Sequence, residues 1–211
     1  MKYSVYGMHR SGTNWLQHLL KNYKRENYIP VGTKPKSDNW KHTYTKQKFN
    51  HNQVYLYIYK NPYQWIESVS RNCEDIRVLT NKFKATNEFM IPADHRGVPA
   101  GNFDLHSLCS LYNESVGFWL EKSKEYDVRF IYYNDLVKDT NHLASIAGLS
   151  NKVDDVTLTS DIKSKSQRKM TDEIRDYYLN ETPSWLYDNV VEYISNTIDP
   201  YIFDTLKFKK L

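Results

Sequence analysis

The stretch Val5–Trp15, which reads VYGMHRSGTNW, sets the architecture that we expect for this chain. Lys2–Tyr6 is short, β-branched and aromatic, and this composition predicts a strand that leads into the stretch. Apolar side chains then recur at helical spacing at Trp15, Leu16, Leu19, Leu20 and Tyr23. A strand, a glycine-containing turn and a helix start form a common site for phosphate or sulfate, because backbone N–H groups and the positive end of the helix dipole point at the anion.

The turn itself favours an anion. Gly7 and Gly12 would let the backbone approach the ligand where a Cβ would obstruct it, and Arg10 would add a fixed positive charge with a planar donor fork. The two glycines have the spacing of the nucleotide-binding P-loop, G-x-x-x-x-G-K-[ST], but Thr13 stands where that motif requires lysine. The ordinary ATP or GTP loop is therefore not matched, and a plain strand-to-helix turn with a capping Ser or Thr is the alternative.

Length and composition favour one folded domain. The 211 residues are 40% hydrophobic and 15% aromatic, and the net charge of +4 is too small to indicate nucleic acid but suits an anionic small ligand. The two cysteines, Cys73 and Cys109, lack the spacing of a zinc site. The first strand starts close to Met1, and no apolar run approaches the roughly 18 residues of a membrane span. We therefore expect a cytoplasmic protein without signal peptide or membrane anchor.

The rest of the pattern alternates strands with helices. Gln53–Tyr59 is almost entirely apolar or aromatic, as expected for a parallel strand buried on both faces. It ends at Lys60, and Asn61 followed by Pro62 predicts a helix N-terminus. Further strands are predicted over 40–44 and 127–133, and helices over 62–71, 108–126, 142–147, 171–179 and 183–196. This order predicts a single α/β domain in which helices flank a parallel sheet in three layers.

Residues 73–105 interrupt the alternation. They mix charges with Pro92, Gly97, Pro99 and Gly101. A long irregular segment of this kind inside a compact domain is commonly a functional loop. We therefore expect 73–105 to be an irregular loop or lid beside a binding site.

His9–Trp15 resembles the 5′-phosphosulfate loop of sulfotransferases, whose sulfuryl donor is 3′-phosphoadenosine 5′-phosphosulfate (PAPS). That family usually has Lys or Arg before Ser-Gly-Thr, and many members have Trp three residues after that glycine, as this chain does. The resemblance implies a P-loop-like sulfotransferase fold in which the donor is bound by Arg10, Ser11, Gly12, Thr13, Asn14 and Trp15. Trp15 would stack on the adenine, and the alternative is that it is a core residue of the first helix.

Val54–Arg71 resembles the family's segment for the 3′-phosphate. That segment is a hydrophobic strand that ends in a basic residue, followed by a helix with serine eight positions later. Here the pair is Lys60 and Ser68. The family mostly has arginine at the first position, and lysine keeps the charge but lacks the bidentate fork. For Lys60 taken alone, the alternative is a solvated charge at a strand end.

Two further resemblances concern adenine binding and the general base. Tyr133, in the sequence YYNDL, resembles the adenine-contacting tyrosine of the family's Tyr-Glu-Asp-Leu strand end, with Asn134 in place of the glutamate. Trp40–His42 lies where the family has Lys-x-His or a similar pair, so His42 is the expected general base, because an imidazole ordinarily titrates with a pKa of about 6.5. Arg10 would stabilise charge on the departing 5′-phosphate. The competing histidines are His9, His51, His95 and His106.

Taken together, the resemblance implies a cytoplasmic sulfotransferase that transfers a sulfuryl group from PAPS to an acceptor hydroxyl or amine. The product would be 3′-phosphoadenosine 5′-phosphate (PAP), and no metal is expected. The acceptor would be a small molecule, glycan or peptide beside residues 73–105, with neither nucleic acid nor membrane as a partner. In the family a C-terminal basic segment containing Arg-Lys-Gly closes over the 3′-phosphate. The basic cluster over 163–169 lacks that tripeptide, which favours a solvated charge run instead.

Two other functions remain open from the sequence. One is a P-loop small-molecule kinase with an altered loop, which would need ATP and Mg²⁺. The other is a non-catalytic nucleotide-binding module that has kept the fold without the base.

Overall fold

The computed structural model describes residues 2–8, 10–23, 29, 48–70, 88–91, 101–139, 141–147, 172–179, 186 and 188–211. The strands in this part of the chain are β1 (Lys2–Tyr6), β2 (Gln53–Tyr59), β3 (Glu88–Ile91), β4 (Gly101–Asp104) and β5 (Val128–Tyr132). The helices are α1 (Thr13–Tyr23), α2 (Pro62–Ser70), α3 (Leu105–Lys122), α4 (Tyr133–Lys138), α5 (Asn141–Ala147), α6 (Asp172–Leu179), α7 (Asp188–Thr197) and α8 (Pro200–Leu206). None of these described helices combines the length and apolar composition needed to cross a bilayer.

Three of the strands form a parallel sheet in the order β1-β2-β5. Tyr6 pairs with Tyr57, and Tyr59 pairs with Tyr132. The middle strand, β2, is buried from Val54 to its end, as its unbroken apolar pattern predicts. Because parallel strands run in the same direction, their last residues lie along one edge of the sheet, which we call the carboxyl edge.

A hydrophobic core lies on each face of this sheet, because side chains alternate along a strand. One set from β2 packs with residues of α2, α3, α7 and α8: Tyr55, Tyr57 and Tyr59. The other set packs with residues of α1, α4 and α5: Val54, Leu56 and Ile58. On the first face, the Trp119 ring lies between Tyr57 and Tyr6, with centroid distances of 5.2 and 4.9 Å. Helices on both faces of a parallel sheet confirm the predicted α/β class.

The segment 73–105 differs from its prediction. β3 and β4 pair in antiparallel fashion, with Phe89 opposite Phe103. The prediction of an irregular segment is therefore wrong for these strands, while residues 73–87 and 92–100 lie outside the described part. Strands of four residues carry too little alternation to be recognised locally, and their pairing partner decides that they form.

Several element boundaries also differ from the sequence prediction. The helix expected from residue 108 begins at Leu105, and the strand expected over 127–133 ends at Tyr132, because Tyr133 already begins α4. The strand end predicted over 40–44 lies outside the described residues.

Candidate functional site

Three segments that the sequence singled out meet at the carboxyl edge. β1 leads into the turn that contains Arg10, β2 leads into Lys60, and β5 leads into Tyr133. In open α/β sheets ligands bind outside this edge, because loop backbone groups and helix N-termini face outward there. The fold therefore gathers residues that are far apart in sequence along one edge of the sheet.

The turn between β1 and α1 has an unusual backbone at three described positions. Gly7 and Gly12 have φ angles of 157° and 99°, and Arg10 has a φ of 67°, in the left-handed region. A side chain in that region costs ~1–2 kcal/mol. Ser11 closes the turn, since its hydroxyl donates to the carbonyl of Met8 at 2.6 Å and its N–H reaches the same carbonyl at 3.2 Å. Strained non-glycine backbone such as that of Arg10 is concentrated at ligand sites.

The helix α1 begins directly after this turn. The N–H of Leu16 donates to the carbonyl of Gly12 at 3.1 Å. In any α-helix the N–H groups of the first turn lack an intrahelical acceptor, and the positive end of the helix dipole lies beside them. Here those groups belong to residues 13–15, of which Thr13 is buried and Asn14 is exposed. The turn can thus bind an anion through its main chain, with the half-exposed Arg10 beside it.

The two glycines are required by packing inside the protein. A Cβ on Gly7 would collide with the carbonyl oxygen of Ile58 and would lie 2.7 Å from the hydroxyl of Ser11. A Cβ on Gly12 would lie 2.7 Å from two ring carbons of Tyr133. The sequence predicts that these glycines let a ligand come close to the backbone, whereas in the structure they let β2 and Tyr133 come close.

Lys60 is buried, with 3% of its surface exposed, so the alternative of a solvated strand-end charge is wrong. Its ammonium group donates to the hydroxyl of Tyr178 at 2.9 Å and to the hydroxyl of Ser68 at 3.4 Å. It also lies 4.4 Å from the ring centroid of Tyr133 and 4.6 Å from that of Tyr178. Because the hydroxyls and the negative ring faces replace water around the charge, the lysine is held in one place. Lys60 and Ser68 are thus within hydrogen-bond distance of each other, while their binding of a 3′-phosphate stays a prediction.

Tyr133 connects Lys60 with the turn. Its ring packs on Gly12, faces the ammonium of Lys60, and meets Trp15 edge-on with centroids 5.5 Å apart. Burial raises the pKa of the Tyr133 phenol well above its usual value, the neighbouring Tyr178 adds to the rise, and the charge of Arg10 opposes it. The charges of Arg10 and Lys60 therefore both act on the same tyrosine.

Trp15 is 7% exposed and belongs to the core that covers the α1 face of the sheet. This position fits the alternative in which Trp15 is a core residue of the first helix. Its edge-on contact with Tyr133 gives it a supporting role in the site. Contact between Trp15 and adenine stays a prediction.

Tyr178 was not predicted as a site residue, and α6 brings it against Lys60. Its backbone carbonyl accepts from the side-chain amide of Asn134 at 2.6 Å and from that of Gln64 at 3.5 Å. The same Asn134 amide nitrogen also lies 3.0 Å from the side-chain carbonyl oxygen of Gln64 and 2.9 Å from the hydroxyl of Tyr132, so its two hydrogens are shared among three acceptors. Asn134, which stands where the family has glutamate, thus joins α4 to α6. Nothing in the local sequence links Tyr178 to Lys60, because 118 residues separate them.

The expected general base, His42, lies outside the described residues, as do His9, His95 and the basic cluster over 163–169. His51 stacks on Tyr126 with centroids 4.7 Å apart, just before β2 begins. A strand of seven residues spans roughly 20 Å, so His51 is at the opposite edge and is excluded as the base. Nδ1 of His106 lies 3.2 Å from the hydroxyl of Tyr193, at the exposed start of α3.

No family model matches this chain, and neither a curated protein nor a solved structure matches it. Among the described residues, His, Cys, Asp and Glu side chains form no group of three that could hold a metal ion. The chemistry of the site therefore has to be argued from its own residues.

Proposed function

We propose that this chain is a sulfotransferase that transfers a sulfuryl group from PAPS to an acceptor hydroxyl or amine. The observation that carries the proposal is the position of the Lys60 ammonium, which lies against Ser68 and over the ring of Tyr133. The same ring packs on Gly12, in the turn that precedes α1. Two places suited to anions are thus separated by one aromatic ring, as a nucleotide with two anionic ends requires.

Each end of the donor would have its own group of residues. The phosphosulfate would be bound by Arg10 and by the first-turn N–H groups of residues 13–15, where the helix dipole favours negative charge. The 3′-phosphate would be bound by Lys60 and Ser68, and Tyr133 would contact the adenine. Ser11 and Gly12 would act by shaping the turn, because the hydroxyl of Ser11 is bonded to Met8 and Gly12 admits the Tyr133 ring.

The proposed chemistry is an in-line displacement at sulfur. The acceptor oxygen loses its proton to a general base, His42 in this proposal, and forms a bond to sulfur. The bond between sulfur and the bridging oxygen of the 5′-phosphate breaks, and its electron pair stays on that phosphate, which leaves as part of PAP. Arg10 would stabilise the charge that develops there. A sulfuryl group carries less charge than a phosphoryl group, so cationic and N–H donors can suffice without a metal.

The acceptor in this proposal is a small molecule, glycan or peptide, bound beside the segment 73–105. We place the reaction in the cytoplasm and include neither nucleic acid nor a membrane among the partners. The fold in the proposal is the P-loop-like sulfotransferase fold.

Isothermal titration of the purified protein with PAP and with ATP plus Mg²⁺ tests the proposal directly. We expect PAP to bind and Lys60→Ala to weaken its binding ~10- to 100-fold, since hydrogen bonds to charged groups contribute about 1.5–3 kcal/mol. Lys124→Ala is the matched control, because Lys124 is exposed and pairs with Glu121 at 2.7 Å on the surface. Its PAP affinity should equal that of the wild type.

Other outcomes would point to the other functions. Binding of ATP with Mg²⁺ in preference to PAP would overturn the proposal in favour of a kinase. Binding of PAP without sulfuryl transfer to any member of a broad acceptor panel would favour a non-catalytic module. If transfer occurs and survives His42→Ala unimpaired, His42 is not the base.

A further inference from the structure

We infer that Tyr178 is a specificity-determining residue that binds the 3′-phosphate of the nucleotide through its hydroxyl, together with Lys60 and Ser68. The inference rests on the proposed function, and it adds a residue that the family resemblance does not supply. The hydroxyl of Tyr178 lies 2.9 Å from the ammonium of Lys60.

The main chain of α6 holds Tyr178 in this place. Its carbonyl accepts from two buried amides, those of Asn134 and Gln64. Its ring meets Tyr133 at 65° with centroids 4.8 Å apart. Backbone and ring are thus both fixed, so the hydroxyl has a defined position before any ligand arrives. Donors that are positioned in advance bind more tightly, because less ordering is needed on association.

The two hydroxyls next to Lys60 have the right chemistry for a phosphate. A hydroxyl can accept a hydrogen bond and donate its own proton at the same time. Tyr178 and Ser68 each accept from the ammonium, so each can donate to an anion that the ammonium also contacts. The ammonium of Lys60 and the two hydroxyls would then all donate to the same ligand. A phosphate monoester offers three terminal oxygens as acceptors and a charge near −2 at neutral pH.

The same geometry predicts discrimination by the 3′-phosphate. A nucleotide that lacks this group, such as AMP, would leave the three donors without the anion that they are arranged to bind. Removing the hydroxyl of Tyr178 should therefore weaken the binding of PAP and leave the binding of AMP unchanged. A purely structural role for Tyr178 would affect both nucleotides equally.

The test compares PAP and AMP by isothermal titration in the full chain and in Tyr178→Phe, which keeps the ring that packs on Tyr133. We expect the PAP affinity to fall ~10-fold or more and the AMP affinity to change by less than about twofold. Tyr193→Phe is the control, because its hydroxyl also forms a hydrogen bond with a side chain, that of His106, on an exposed surface. It should leave both affinities unchanged.

The outcomes separate the two proposals. If the wild type fails to bind PAP, the proposed function fails and Tyr178 has no such role. If the wild type binds PAP and Lys60→Ala weakens it while Tyr178→Phe does not, only the role of Tyr178 is overturned. An equal loss for PAP and AMP overturns it as well. Should Tyr178→Phe not fold, 3-fluorotyrosine at position 178 of the otherwise native chain must show a fluorine shift with PAP that AMP does not produce, and the absence of that difference overturns the role.

Discussion

Gly12→Ala tests how the turn and Tyr133 are fitted together. The added Cβ would stand 2.7 Å from the Cδ2 and Cε2 atoms of the Tyr133 ring, and the backbone at Gly12 has a φ of 99°. The Tyr133 ring cannot move away easily, because two other rings pack against it. Its centroid lies 5.5 Å from that of Trp15 and 4.8 Å from that of Tyr178. The left-handed backbone contributes ~1–2 kcal/mol of destabilisation, and overpacking contributes ~1–3 kcal/mol.

Urea unfolding followed by circular dichroism measures the effect. We expect the free energy of unfolding to fall by ~2–5 kcal/mol in Gly12→Ala, a large fraction of the ~5–15 kcal/mol that keeps an ordinary domain folded. Gly117→Ala is the matched control. Gly117 lies within α3, and apart from its chain neighbours and the backbone of that helix no described atom lies within 4 Å of an added Cβ. Alanine is a better helix former there, so this variant should gain ~0.5–1 kcal/mol.

The same variants link packing to ligand binding. A displaced Tyr133 ring would no longer face Lys60 at 4.4 Å, so Gly12→Ala should weaken PAP binding under conditions where it is folded, and Gly117→Ala should not. A loss of stability below about 0.5 kcal/mol in Gly12→Ala, the range of an ordinary surface substitution, would refute the packing argument. An equal loss of stability in Gly12→Ala and Gly117→Ala would refute it as well.

Two further predictions follow from hydrogen bonds and burial. Ser11→Ala removes the 2.6 Å hydrogen bond to the carbonyl of Met8 and should lower the free energy of unfolding by ~1–2 kcal/mol. Ser123→Ala is the control, since it loses a 2.7 Å hydrogen bond to the carbonyl of Leu120 at an exposed turn and should lower the free energy of unfolding by less. Equal losses for the two variants in urea unfolding would contradict the prediction. Burial raises the pKa of several native phenols, while unfolded tyrosines titrate near about 10. Above that pH the unfolded chain therefore holds fewer protons than the native chain. Since the unfolded state then binds fewer protons, the free energy of unfolding should fall as the pH rises. Urea unfolding at pH 9, 10 and 11, with absorbance at 295 nm reporting the phenolate, checks this, and constant stability over that range would be the contrary result. The phenols are those of Tyr59, Tyr112 and Tyr133.

The predictable part of the fold is the part whose pattern is local. The bounds of β1 and β2 follow from runs of buried side chains, and the Asn61 side chain accepts from the N–H of Gln64 at 2.8 Å, as the predicted helix cap requires. No helix was predicted after residue 196, whereas the structure has α8 there. Its start was visible, since Asp199 accepts from the N–H of Tyr201 at 2.9 Å ahead of a proline at the first position.

The candidate site likewise has features that the local sequence predicts and features that depend on tertiary packing. The Arg10 turn and the spacing of Lys60 and Ser68 are visible in the sequence because each lies within one strand–turn–helix unit. The burial of Lys60 and its contact with Tyr178 depend on how α6 packs on α4, which no local pattern records. The reason for Gly12 was likewise invisible, because it lies in the ring of Tyr133, far along the chain. Contacts at such separation come from the tertiary fold alone.

The two cations of the site differ in a way that suits different tasks. Arg10 is half-exposed on a strained turn. There its planar guanidinium can donate hydrogen bonds to the 5′-phosphate, whose charge changes during the proposed transfer. Lys60 is buried, and its backbone is fixed from the opposite face of the sheet, since the Tyr112 hydroxyl donates to its carbonyl at 2.6 Å. Burying an ammonium group is unfavourable unless polar groups replace its water, and the surrounding hydroxyls and rings do so. A charge held this firmly is suited to anchor a part of the ligand that does not react, which is the role of a 3′-phosphate in the proposed transfer.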